Sequence, residues 1–337
     1  MFTRMASMHP VLTDIELAAT RLEIDDPMSV PNLCMDRPPA NLAPQIVGEY
    51  HLPPETDFLW CCHCQGHHHR NGFVITNETG KHYMLGSECG PKHYELSFKL
   101  AAREHKAKIK RKGVLERMKA IWATGPAVKA SIREILYTEG LRLIDQKREE
   151  LRRASENAFM ALASKVRSGM PLDEIVSVRD IAAEQARDAK RPGNESGPPI
   201  YNQERQSLGR VAGVAILRET GDCRDHLLVL KGKIEAVEAF NKEVTDAFSI
   251  PSLTKAVRAA EEAWQRAQEA VIEAEGANAF FSASNLNRLE RWSAANRYFK
   301  LTANGNRIVV TDDRSRSVTI DPIPPIELPR LPSMKVA

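Results

Sequence analysis

The sequence lacks any long apolar segment. No run approaches the roughly 18 to 20 apolar residues that cross a bilayer, and the first residues contain no continuous apolar core like that of a secretory signal peptide. We therefore expect a cytoplasmic protein with reduced thiols and no membrane partner. Aromatic residues are also scarce, at 6%, whereas charged residues reach 27%. The frequent Ala, Glu, Arg and Lys favour helices.

Several catalytic motifs are missing as well. There is no glycine loop for phosphate, no Gly-x-Ser-x-Gly elbow and no carboxylate cluster with metal-ligand spacing. Glu88 precedes Cys89, but the His-x-Glu and Pro-Cys-x-x-Cys signatures of zinc deaminases are absent. The segment GRVAGVAIL, residues 209–217, lacks dinucleotide-binding spacing and predicts a small-residue face of a helix. We expect no enzyme.

The chain does contain a dense run of metal-ligand residues. The segment FLWCCHCQGHHHR, residues 58–70, holds three of the six cysteines and four of the ten histidines. In a long chain without a secretory signal, such cysteines predict a metal site rather than a disulfide framework. Cys61 and Cys64 are two residues apart, so a tight turn can direct both sulfurs at one ion. Cys89 and His93 are four residues apart at the start of a predicted helix and share one face.

This spacing predicts a structural zinc ion bound by Cys61, Cys64, Cys89 and His93. Other histidines remain alternatives for the fourth ligand: His67, His68, His69, His63 and His82. A retroviral-type knuckle is not satisfied, because its fourth position falls on Val74, which cannot coordinate a metal. Four good ligands, three of them thiolates, favour a structural over a catalytic ion.

The order of these elements resembles the treble-clef zinc finger, in which a knuckle and a hairpin are followed by a helix that supplies the last two ligands. The segment GKHYMLGSECGPKH, with a glycine shortly before the third ligand, resembles the corresponding segment of small zinc modules in uncharacterised phage and mobile-element proteins. The resemblance covers about a tenth of the chain, residues 59–98 at most. It implies a zinc-braced module and does not specify a partner, since members of this fold class bind nucleic acid or proteins.

Charge is distributed unevenly along the chain. Residues 1–58 carry nine acidic and three basic side chains, whereas residues 99–119 carry nine basic and two acidic ones. A basic helix of this kind favours a polyanion, because each neutralised phosphate releases counterions. A solvated face, or one neutralised in part by the acidic N-terminal arm, is the alternative. The candidate phosphate contacts are Arg103, Lys106, Lys108, Lys110, Arg111 and Lys112.

The expected fold is mainly α, with long helices and helical hairpins, a zinc-bound β-hairpin module and a C-terminal β-hairpin. Glycine and proline predict helix breaks at 125–126, 140 and 169–171. The predicted regions are an acidic, proline-rich arm (1–58), the zinc module (59–98), a helical region with the basic helix first (99–189), a linker (190–203), a second helical region (204–298), and a hairpin with a proline-rich tail (299–337).

Two functions fit this pattern. The first is a nucleic-acid-associated protein, in which the zinc module orients the basic helix and aromatic side chains are available for stacking on bases: Trp60, Tyr83 and Tyr94. The second is a protein-interaction or scaffold protein, including a counter-defence or regulatory adaptor, that associates or oligomerises through helical hairpins. The basic helix favours the first, because a concentration of like charge is costly unless it meets an anion.

Overall fold

The structure is a computed structural model that describes residues 12–39, 42–77, 79–190, 197–240 and 250–334, with the side chains of all of these except His67 and His68. Helices make up 52% of the chain and are accompanied by small antiparallel sheets. The chain forms two compact units. The first comprises Met1–Ala123, Ala236–Arg258 and Lys335–Ala337, and the second comprises Thr124–Glu235 and Ala259–Met334. No helix within the described ranges is long and apolar enough to cross a membrane.

The first unit contains the predicted metal module. Its elements are helix α1 (Asp14–Ala19), strands β1 (Gln45–His51), β2 (Leu59–Cys61), β3 (Gly66–His69), β4 (Asn71–Thr76) and β5 (His82–Gly86), and the first part of helix α2 (Cys89–Leu136). Strands β1, β4 and β5 form one antiparallel sheet, and β2 and β3 form a separate hairpin. The core between them includes Tyr50, Cys61, Met84 and Phe98.

The N-terminal arm is only partly irregular. Thr13 caps α1 in a capping box: its hydroxyl accepts from the N–H group of Glu16, and the Glu16 carboxylate accepts from the N–H group of Thr13. The proline-rich arm nevertheless contains a regular strand, β1, which pairs with β4 along its whole length. The predicted hairpin of residues 73–85 is confirmed as β4 and β5. The side chain of Asn77 accepts hydrogen bonds from the N–H groups of Thr79 and Lys81 and so closes its turn.

Helix α2 is longer than the sequence predicted. Pro91 lies in its first turn, where the missing N–H costs nothing. The expected stop at Gly125 and Pro126 is wrong, because the helix continues to Leu136. Buried side chains on both sides of the proline, such as Ile121 and Val128, hold the helix together there. At Glu95 the backbone leaves helical geometry, with φ of 43° and ψ of −113°, so the first turn is set at an angle to the rest.

The second unit contains the remaining helices and two small sheets. Its elements, some of which extend into the first unit, are α3 (Glu139–Ala154), α4 (Glu156–Ser168), β6 (Leu172–Arg179), α5 (Ile181–Asp188), β7 (Tyr201–Gly209), α6 (Cys223–Glu238), α7 (Ile250–Glu275), α8 (Ala283–Ser293), β8 (Phe299–Asn304), β9 (Arg307–Asp312) and β10 (Ser317–Ile320). Strands β6 and β7, with α5 between them in the chain, form a two-stranded antiparallel sheet, and β8, β9 and β10 form a three-stranded sheet.

Several predictions for this unit hold and others do not. Gly169, with φ of 64°, ends α4 as predicted, and the C-terminal hairpin is confirmed as β9 and β10. Gly140 is not a break, since α3 begins one residue earlier behind the Thr138 cap. The predicted helical regions, 99–189 and 204–298, are wrong over β6 and over the part of β7 from residue 204 onward, and the expected helix at 209–217 is instead a 3-10 turn, Val214–Leu217. Part of the predicted linker, 191–196, lies outside the described residues.

Candidate metal centre

Three cysteine sulfurs converge in the first unit. The sulfur atoms of Cys61, Cys64 and Cys89 all lie within 4.8 Å of one another, which is close enough for one ion. Cys61 is buried, Cys89 is half-buried and Cys64 is exposed. Cys62 is directed elsewhere, and its thiol donates to the carbonyl of Cys34 at 3.1 Å. The structure therefore brings together the three cysteines that the spacing singled out.

The local backbone positions these sulfurs. Cys61 ends β2, and the four-residue turn that follows includes Gln65 in the left-handed region, with φ of 57°. Burial opposes ionisation of Cys61, but the neighbouring imidazole of His69 and the N–H groups of Cys64, Gly86 and His63 outweigh it and lower the pKa of Cys61 to about 5. The knuckle thus favours a thiolate, the form that binds metal.

The third sulfur begins α2. Burial, and then the adjacent sulfurs of Cys61 and Cys64, raise the pKa of Cys89 to about 12. Negative charges this close repel one another and so disfavour ionisation of the third thiol. A divalent cation bound between the sulfurs would lower their pKa values and hold all three as thiolates. The donor set therefore fits a soft or borderline metal, for which sulfur ligands are preferred.

The histidines near the cluster have distinct surroundings. No described histidine belongs to the group of mutually close ligand atoms. The ring of His93 stacks on that of His63 with centroids 3.9 Å apart and meets Tyr94 edge-on at 4.5 Å. The Nδ1 atom of His82 lies 2.6 Å from the carbonyl oxygen of Pro31. The Nδ1 atom of His69 lies 3.2 Å from the hydroxyl of Tyr50.

The basic helix divides into two faces. Arg111 is paired with Asp14 of α1, and the Nζ atom of Lys112 donates to the carbonyl of Thr20 at 2.7 Å. Lys108 is half-buried on that side. The N-terminal arm therefore neutralises part of the predicted stripe, as the alternative interpretation expected.

The opposite face of α2 is open. Lys99, Arg103, Lys106 and Lys110 are exposed, and none of them makes an ion pair with a described residue. Their spacing of three and four residues places them on one face of the helix, about 6 Å apart from one to the next. We name these four residues the cationic stripe. It retains three of the six predicted phosphate contacts and adds Lys99.

Sequence reasoning missed Tyr50 beside the cysteine cluster, and it used Gly86 only for the family resemblance. Tyr50 lies on β1 within a proline-rich context that concealed the strand, and only the fold brings its hydroxyl to His69. Gly86 precedes Ser-Glu-Cys at the end of β5, and a side chain there would collide with the His69 ring. Comparison of the chain with protein-family models, curated proteins and solved structures gave no match.

Proposed function

We propose that the protein binds nucleic acid through the cationic stripe, with a zinc ion bracing the start of the helix that carries it. The observation that supports this most is the continuous row of Lys99, Arg103, Lys106 and Lys110 on one exposed face. This row begins ten residues after Cys89, in the part of α2 that follows the kink at Glu95. A rigid metal module at its base would fix the direction of the stripe.

Zinc is the ion that suits this donor set best. Three thiolates around one point are typical of structural zinc, which takes four ligands in tetrahedral geometry. The order of elements is also that of a treble-clef-like module: the knuckle between β2 and β3, the hairpin of β4 and β5, and the helix that begins at Cys89. In such a module the ion stabilises the fold and takes no part in a reaction, so we propose no enzymatic activity.

The regular spacing of the cationic stripe matches a phosphate backbone better than the irregularly placed carboxylates of a protein surface. Successive cations about 6 Å apart along a helix face present a line of positive charge to a backbone that carries one charge per phosphate. Glu104 and Glu116 lie on other faces of α2 and leave the row free of acidic side chains. Nothing in the row selects a base, so we propose binding without strong sequence preference.

Salt-dependent binding tests this proposal. Fluorescence anisotropy of the full-length protein with labelled duplex DNA, single-stranded DNA and RNA should show affinity that falls as salt rises. If all four cations contact phosphates, the slope of log K against log salt on B-DNA is about −3 to −4. Affinity that is absent at low salt, or indifferent to salt, would show that the proposal is wrong.

A charge-reversed pair of variants gives the control. Replacing the cationic stripe with glutamates should abolish binding at moderate salt. The matched variant reverses four other exposed cations without a described ion pair, Lys233, Arg297, Lys300 and Arg314, and changes the net charge equally. If both variants lose binding to the same degree, net charge and not the stripe accounts for the effect.

A scaffold role is the second candidate. Leu96 and Leu100, 69% and 53% exposed, lie one turn apart on α2 beside the stripe and could contact an apolar partner surface. Under this hypothesis, Leu96→Ala with Leu100→Ala would remove a stable protein complex or oligomer seen by light scattering, whereas the glutamate variant of the stripe would leave it intact.

A further inference from the structure

We infer that His69 is the fourth ligand of the metal, bound through Nε2, and that Tyr50 holds its ring in place. The inference rests on the metal site proposed above and names its missing ligand. It differs from the ligand set predicted by sequence spacing, in which His93 completes the site.

The position of the His69 ring is the first argument. The ring lies beside the Cys61 sulfur, on strand β3, which pairs with the strand that Cys61 ends. Its Nε2 atom is buried and makes no hydrogen bond of normal geometry to any described residue. A buried polar nitrogen without a partner costs roughly 1–3 kcal/mol, so such atoms are normally satisfied. A metal ion shared with Cys61 would satisfy this one.

The second argument is the partner of the other ring nitrogen. The hydroxyl of Tyr50 lies 3.2 Å from Nδ1 of His69 and 3.5 Å from the carbonyl oxygen of Leu85. Tyr50 can donate to that carbonyl and accept from the Nδ1–H group, which leaves the lone pair on Nε2. Metal-bound histidines are commonly held in this way by a hydrogen bond to their second nitrogen.

Gly86 supplies the third argument. A Cβ atom at this position would lie 2.8 Å from Cδ2 and 3.1 Å from Cγ of His69. The absence of a side chain therefore leaves room for the imidazole beside the end of β5. The N–H group of Gly86 also donates to the Cys61 sulfur, so one residue supports both proposed ligands.

His93 has a different environment. Its Nε2 atom is also buried without a described partner, so burial alone does not separate the two histidines. The ring of His93, however, contacts those of His63 and Tyr94, and no hydrogen bond to a described residue orients its Nδ1 atom. Only His69, among the described histidines, combines an unpartnered nitrogen with a ring that lies against a cluster sulfur and a fixed second nitrogen.

Metal titration of the full-length protein tests this assignment. Zinc content of the wild type is measured first: no stoichiometric zinc would overturn the metal proposal itself, independently of the ligand. Competition with a chromogenic chelator then compares His69→Ala with His93→Ala. We expect His69→Ala to weaken zinc binding at least about 100-fold and Tyr50→Phe about 10-fold, and His93→Ala to change it less than about threefold.

Rescue separates coordination from folding. If His69→Ala weakens zinc binding merely by disturbing the module, His69→Cys should do the same. If His69 is a ligand, His69→Cys restores binding, and Co²⁺ bound in place of zinc shows stronger sulfur-to-metal charge transfer than the wild type. A loss confined to His93→Ala, or equal zinc affinity in the wild type and His69→Ala, would overturn the inference.

Discussion

Asp14 and Arg111 form an ion pair in which both side chains are largely shielded from water, with 6% and 14% of their surfaces exposed. The pair fastens α1 to α2 within the first unit. It also explains why the acidic arm and the basic helix occur in one chain: part of the helix charge is neutralised inside the protein.

Removal of Asp14 should therefore be costly. In Asp14→Ala the guanidinium of Arg111 keeps its charge in a shielded place without a counterion, which typically costs about 3–5 kcal/mol. We expect a lower unfolding temperature and faster hydrogen exchange of the α1 amides. Arg21→Ala is the control, because Arg21 and Asp25 are 71% and 80% exposed and such surface pairs contribute less than about 1 kcal/mol. Equal effects of the two variants would contradict this account.

The acid stability of the protein should depend on His105. This side chain is 2% exposed, and neither ring nitrogen has a described hydrogen-bond partner. Burial, and then the charge of Lys108, lower the pKa of His105 from 6.5 to about 4. Between pH 6.5 and 4, His105 therefore binds a proton in the unfolded chain but not in the folded protein. The free energy of unfolding falls by roughly 3 kcal/mol as the pH drops from 6.5 to 4, and it levels off below pH 4.

His105→Leu isolates this contribution. The variant fills a similar space without a titratable group, so it should lose less stability than the wild type between pH 6.5 and 4. The measurement is urea unfolding of both proteins at several pH values. The carboxylates titrate equally in the two proteins, and their effect cancels in the difference. Parallel curves for wild type and variant would show that His105 does not titrate in this range.

Some features of this fold are local and could be predicted. The knuckle, the β4–β5 hairpin and the end of α4 follow from short signals: cysteines two residues apart, the Asn77 turn and the left-handed Gly169. Three of the four predicted ligands converge for the same reason.

Other features depend on distant pairing. Strand β7 is almost entirely exposed and shows no apolar alternation, so its residues do not indicate the ladder with β6. Helix α2 passes through Pro126 because one lost hydrogen bond is outweighed by buried neighbours on both sides. The contact between Tyr50 and His69 joins β1 to β3, and no spacing rule links the two residues.

The exposed position of Cys64 allows a clean test of the metal. A serine there disturbs little packing, so any large effect of Cys64→Ser must come from lost coordination. We expect zinc content to fall well below the value of about one ion per chain that a single structural site holds. The unfolding temperature should fall as well, because an ion that binds only the folded state stabilises it.

Cys223→Ala is the matched control. This thiol is buried in the second unit and does not belong to the group of mutually close cysteines. Its replacement should leave the zinc content unchanged. Elemental analysis of both variants after gel filtration decides between them, and a loss of zinc from Cys223→Ala alone would contradict the assigned cluster.

Two glycines with the same φ angle should respond differently to alanine. Gly213 and Gly305 both have φ of 64°, which costs any residue with a side chain about 1–2 kcal/mol. A Cβ atom on Gly305 would meet nothing within 4 Å, whereas one on Gly213 would lie 2.2 Å from the backbone nitrogen of Phe280 and 2.6 Å from the carbonyl oxygen of Ala277. Backbone atoms cannot turn aside as a flexible side chain does. Gly213→Ala should therefore destabilise the second unit by at least about 2 kcal/mol more than Gly305→Ala. Thermal unfolding followed by circular dichroism measures the difference, and equal losses would mean that conformation alone, and not the close approach to Phe280, requires glycine at 213.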